Sequence, residues 1–155
     1  MKDLFKTEDW WAVWIGLFVF VLALGLFAGM DVLGWGATPK TWLTLDKSVA
    51  PVSKNYAALP GILSLVLTYL FMLVITGVGA AAMKMNLQRF AIGFTIIFWA
   101  SFACWVVGNY AYIAATPDKL AGLKIPWSLG LTGESGYILA LLVGLIIGNF
   151  FPGVT

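Results

Sequence analysis

The sequence predicts an all-α integral membrane protein of about four transmembrane helices joined by two long interfacial loops. Three observations carry this reading. Hydrophobic residues make up 61% of the chain and charged residues 10%, against roughly 25% charged in an ordinary soluble domain. The mean hydropathy is +0.95, and a soluble globule with so few charges could not cover its surface. The apolar residues also gather in long runs that no Asp, Glu, Lys or Arg interrupts, and about 20 such residues cross about 30 Å of hydrocarbon.

The whole chain, 1–155, reads as a single membrane domain. Its first span is predicted over 10–30 (WWAVWIGLFVFVLALGLFAGM), with Asp9 as N-cap and Trp10, Trp11 and Trp14 at headgroup level. Asp31 ends the run. The second span, 60–83, opens on Pro60, whose missing N–H would have no partner in a first turn, and closes at Lys84. The third, 90–115, is expected to end at Thr116-Pro117, because the residue before proline avoids the helical region. The fourth, 137–151, has fifteen residues before Pro152 and is short for a span. It is expected either to tilt little or to lie beside protein, and Gly130, Gly133 and Glu134 argue against an earlier start.

Connections 31–59 and 116–136 interleave Trp35, Trp42, Tyr56 and Trp127 with lysines and prolines, a composition suited to segments resting on the membrane interface. By contrast, 83–89 is a tight turn carrying Lys84 and Arg89. The N-terminus does not read as a cleavable signal, since its apolar run exceeds the usual h-region and no small-residue cleavage site follows. Four spans place the N-terminus, the 83–89 turn and the C-terminus on one side, with Lys2, Lys6, Lys84 and Arg89 near span ends. Lys40, Lys47, Lys54, Lys119 and Lys124 are spread over the long loops of the other side. Charges in short loops weigh most, so the N-terminus is expected in the cytoplasm.

Several function classes are excluded. A net charge of +2 with scattered lysines leaves no footprint for nucleic acid. The absence of histidine removes His-ligated haem, His-based zinc or copper sites and a His general base. A single cysteine, Cys104, allows neither an intrachain disulfide nor a thiolate cluster; in hydrocarbon it is expected to behave as a small apolar group. No paired carboxylates, nucleophile–base pair or metal cluster can be assembled, so neither enzymatic activity nor a cofactor or metal is expected. Intramembrane ionisable residues mark proton and ion paths, and the four segments contain none.

What the segments do carry is packing chemistry. Gly25 with Gly29 and Gly144 with Gly148 form two GxxxG pairs, the spacing that lets helix backbones approach in lipid, within the bundle or between copies of the chain. Ser64, Thr68 and Thr76 share one face of the second span, and Ser101, Cys104 and Gly108 share one face of the third. These stripes are expected to meet as interhelical glue, about 0.6 kcal/mol per bond, with a substrate path as the alternative. Asn109 and Asn149 sit in similar phrases, Val107-Gly108-Asn109-Tyr110 and Ile147-Gly148-Asn149-Phe150. Both are expected to cap helices near the interface, with ligand contact as the alternative. Glu134, just before the fourth span, suits the positive end of a helix dipole and is kept beside them as a functional candidate.

Four phrases are more distinctive. They are Glu8-Asp9-Trp10-Trp11-Ala12-Val13-Trp14-Ile15-Gly16, Arg89-Phe90-Ala91-Ile92-Gly93-Phe94, Gly108-Asn109-Tyr110-Ala111-Tyr112-Ile113-Ala114 and Gly144-Leu145-Ile146-Ile147-Gly148-Asn149-Phe150-Phe151-Pro152. Together they resemble the YeiH-type sulfate exporters of bacterial inner membranes, in particular the longer members with an N-terminal membrane extension. The resemblance implies a secondary transporter with inverted repeats and broken helices around its anion. It matches the first three spans to the extension and the fourth to the first helix of the core, so no substrate-binding residue carries over. The chain is therefore expected to be the N-terminal scaffold portion of such an exporter, with Gly25, Gly29, Gly144 and Gly148 facing its core. The expected partners are the lipid bilayer, the remaining transporter core or other membrane subunits, and further copies of itself. The alternative is a small accessory or anchor subunit of a larger membrane complex, without transport of its own.

Overall fold

The computed structural model describes residues 7–150. Four helices are long and apolar enough to cross a membrane: Glu8–Ala28, Gly61–Ala82, Leu87–Gly108 and Thr132–Phe150. Strand is confined among the described residues to two three-residue segments, β1 (Ala37–Pro39) and β2 (Val49–Pro51). The protein is thus an all-α integral membrane protein. The chain divides into two compact units, one made of residues up to Thr38 with Pro51–Ile97, the other of Pro39–Ala50 with residues from Phe98 onward. The chain passes between them in the β1–β2 hairpin and again within the third spanning helix.

In the first unit, α1 (Glu8–Leu24) starts after Thr7, which is extended and occupies the N-cap position without a side-chain bond. Asp9 is therefore not the cap; with Glu8 it lies in the first turn, where a carboxylate complements the helix dipole. The helix tightens into a 3₁₀ turn over Gly25–Ala28 and stops at Gly29, left-handed at φ +76°, a conformation glycine enters without steric cost. The Gly25–Gly29 pair is consequently not a stripe on a straight helix. A Cβ on Gly25 would lie 3.1 Å from the Met30 carbonyl oxygen and 3.3 Å from Val32 Cγ2, so this glycine admits the chain that folds back.

Helix α2 (Gly61–Ala82) follows Pro60, and α3 (Leu87–Gly108) follows a short turn. Asn86 Oδ1 accepts the Arg89 N–H at 3.0 Å, capping α3. Trp11 of α1 lies over Gly79 of α2, its ring 3.4 Å from where a Cβ would stand. Between α2 and α3, the Tyr69 and Thr95 hydroxyls share a hydrogen bond of 2.8 Å. The hydroxyl face of α2 finds its partner in the chain 35–37. Ser64, fully buried, donates to the Trp35 carbonyl at 2.5 Å, and Thr68 Oγ1 accepts the Ala37 N–H at 2.8 Å. Thr76 bonds back to Met72 within its own helix. Around this loop, Trp35 Nε1 donates to Val32, Tyr56 to the Asp31 carbonyl and Asn55 Nδ2 to the Asp31 carboxylate.

In the second unit, α3 ends at Gly108, seven residues short of the predicted end at 115. The cause is long-range. Trp42 N–H donates to the Asn109 carbonyl at 3.2 Å and Ala111 N–H to the Trp42 carbonyl at 2.8 Å, so a strand-like bridge takes the groups a continuing helix would use. Tyr110 is accordingly extended (φ −59°, ψ 135°). The chain then forms α4 (Ala111–Ala114) and α5 (Pro117–Leu123), whose proline sits in the first turn. Ala111, Ala115 and Ile125 form a small core with Tyr112, Leu120 and Leu123.

The fourth span starts earlier than predicted, through a 3₁₀ turn, Thr132–Glu134, that runs into α6 (Ser135–Phe150). Gly133 and Glu134, which argued against an earlier start, fall inside that turn, while Gly130 stays ahead of it with a left-handed backbone at φ +66°. Thr132 is left-handed at φ 57°, a strained state for a β-branched residue costing about 1–2 kcal/mol. Thr132→Gly is expected to stabilise the solubilised protein by about 1 kcal/mol, strain relief exceeding the added unfolded-state entropy, read as a higher thermal unfolding midpoint. Lys2, Lys6, Phe151 and Pro152, used above for orientation and for the end of the fourth span, lie outside the described residues.

Candidate functional site

Polar groups converge at the C-terminal end of α3. The last four carbonyls of a helix lack intrahelical partners, and in a bilayer each must be satisfied by protein or interfacial water. Here all four are met from within the second unit. Trp105 O accepts the Asn109 side-chain amide at 2.9 Å and, with Val106 O, the Asn109 backbone N–H. Val106 O also accepts Trp42 Nε1 at 2.7 Å. Val107 O accepts the Tyr110 N–H at 3.0 Å, and Gly108 O accepts the Ser135 hydroxyl at 2.5 Å.

Two glycines bring the backbones close enough for this. A Cβ on Gly108 would fall 2.5 Å from Gly136 Cα, and one on Gly136 would fall 2.9 Å from Trp105 Cα. Ser135 is buried, its hydroxyl also placed 2.8 Å from the Thr132 carbonyl. An aromatic run flanks the junction: Trp42 with Tyr110 at 5.0 Å, Tyr110 with Tyr112 at 5.6 Å, and Tyr112 with Trp127 at 5.4 Å between ring centroids.

Asn109 is thus a buried cap for the end of α3. Asn149 makes the same i−4 gesture, its amide donating to Leu145 O at 2.7 Å, but on an exposed stretch of α6. Glu134 stands exposed in the 3₁₀ turn ahead of α6. A Cβ on Gly144 or Gly148 would meet nothing within 4 Å, so that face of α6 is open among the described residues. From the sequence Trp42 is read only as an interfacial aromatic, and Ser135 and Gly136 carry no role there. Their only signal there was their residue type, because each acts on a partner far along the chain.

The hydrogen bonds of this junction come from hydroxyl, amide, indole and backbone groups. Such bonds fix the crossing of α3 and α6. No trio of His, Cys, Asp or Glu is grouped to hold a metal among the described residues. Outside the spans, the Thr44 hydroxyl bonded to Asp46 and the Thr116 hydroxyl bonded to Asp118 hold both carboxyls below their ordinary value of 3.8. Both carboxylates are exposed and serve their own turns.

No known family profile matches the chain, and no solved structure matches it. It is 40% identical over 148 residues to the UPF0324 membrane protein NE0724 of Nitrosomonas europaea, an alignment covering 94% of this chain and 30% of that relative. The chain is therefore similar, over nearly all its length, to a UPF0324 membrane protein of which it spans less than a third.

Proposed function

We propose that this chain is the N-terminal membrane scaffold of a YeiH-type secondary transporter exporting sulfate or a related anion. The similarity to a UPF0324 protein carries the reading, UPF0324 being the YeiH family. A scaffold role is supported by the absence of Asp, Glu, Lys and Arg from the sequence stretches 10–30, 60–83, 90–115 and 137–151, residues of the kind that mark an ion path. The neutral junction at the end of α3 binds helices to one another rather than a charged substrate. On this reading the chain is not an enzyme, needs no cofactor, and leaves Gly144 and Gly148 facing the transporter core. It lies in the bacterial inner membrane with its N-terminus in the cytoplasm.

Liposomes containing the chain alone are expected to retain radiolabelled sulfate as well as empty ones. The native product carrying this sequence, extracted from its membrane, is expected to weigh well above 16.8 kDa, or to co-purify with helices that restore sulfate efflux. A native mass of 16.8 kDa together with an unrelated membrane complex would instead establish an accessory subunit. Gly148→Leu is expected to loosen association with the core in detergent; complexes equally intact would remove α6 from that interface. For orientation, charge reversal at Lys84 plus Arg89 is expected to disturb reporter-fusion topology more than reversal at Lys40 plus Lys47. Equal effects would count against a cytoplasmic N-terminus.

A further inference from the structure

Residues 125–131, between α5 and the 3₁₀ turn that opens α6, are neither helix nor strand, yet their backbone is pinned. Leu129 N–H donates to Tyr112 O at 2.9 Å and Leu131 N–H to Ile113 O at 3.0 Å. Ser128 Oγ donates to Ala115 O at 2.6 Å and accepts the Gly130 N–H at 3.0 Å. Ile125 is buried in the small core, and the Trp127 ring packs edge-on against Tyr112. With Ser128 bonded inward and Gly130 lacking a side chain, the large apolar side chains of alternate residues point outward: Trp127 is 55% exposed, Leu129 62% and Leu131 44%. A rigid backbone thus presents an apolar ridge that no described residue covers.

We infer that this ridge seats in the headgroup–acyl boundary of the protein's own bilayer and sets the depth at which α6 enters it. Continuity with the spans fixes its level. Leu131 directly precedes the turn Thr132–Glu134 that opens the fourth spanning helix. Its anchors, Tyr112 and Ile113, follow within five residues of Gly108, where the third span ends. A segment tied at both sides to span ends lies at the interface, where tryptophan is the favoured aromatic and a shallow apolar face gains by leaving water. Lys124, exposed on its flank, is opposite in charge to lipid phosphate. The ridge does with fixed loop geometry what an amphipathic helix does elsewhere.

The test uses the full chain in lipid nanodiscs, with Cys104→Ala and single cysteines Leu129→Cys, Leu131→Cys and, as a polar reference, Lys119→Cys, each carrying a solvent-sensitive fluorophore. Probes at 129 and 131 are expected to emit further to the blue than the probe at 119. They are expected to be quenched by lipids brominated high on the acyl chain, and about threefold less by aqueous iodide. Iodide access equal to that at 119 would overturn the inference, because the ridge would then face water. Shielding from both quenchers would overturn it too, because protein would then cover the ridge. The change in brominated-lipid quenching of native fluorescence caused by Trp127→Phe checks the result without a label. None of these outcomes bears on whether the chain belongs to a sulfate exporter.

Discussion

Gly108→Ala is expected to destabilise the solubilised protein by about 2 kcal/mol. The new Cβ would stand 2.5 Å from Gly136 Cα, and backbone cannot rotate away as a side chain could. Overpacking of this kind costs about 1–3 kcal/mol, which exceeds the gain of up to about 1 kcal/mol from replacing glycine in a helix. Gly93→Ala supplies the internal comparison. It lies in the same helix, a Cβ there meets nothing within 4 Å, and the substitution is expected to be neutral or mildly stabilising. Unfolding curves for the two variants decide the matter: if Gly108→Ala is as stable as Gly93→Ala, the α3–α6 backbone contact is absent in the folded protein.

Trp42→Ala is expected to cost about 3 kcal/mol, since it removes both an indole N–H bond and a large half-buried ring. The bond runs from Nε1 to Val106 O at 2.7 Å, and the ring lies 5.0 Å from that of Tyr110. Trp42→Phe separates the two parts. It keeps most of the ring contact and is expected to cost about 1 kcal/mol, because Val106 O still accepts from the Asn109 N–H. Hydrogen exchange locates the damage: the Ala111 amide, which bonds to Trp42 O, should exchange faster in the alanine variant than in the phenylalanine one. Unchanged protection at Ala111 in both would mean that the bridge does not hold the end of α3.

Apolar runs without charges were enough to place the four spanning helices, because hydrocarbon allows a single chain segment few other ways to satisfy its backbone. Ends were less legible. Gly29 ends α1 through its own left-handed backbone, a local property. Gly108 ends α3 because Trp42, far away in sequence, competes for the next residues' backbone groups. No reading of 90–115 as an isolated helix contains that competition. The polar residues divide in the same way. Asn149 bonds within its own helix, whereas Ser64 is satisfied by a loop carbonyl and Ser135 by the end of another span.

The sequence by itself determined the class of protein, the number of spans and the neutrality of their interiors. These depend on transfer of each segment from water to lipid, a sum over its own residues. Tertiary structure alone decided where the third helix stops, why Gly108 and Gly136 must be glycines, and which apolar side chains the 125–131 segment leaves exposed. Those depend on contacts between residues distant along the chain, where a single Cβ or carbonyl changes the outcome and composition carries no trace of it.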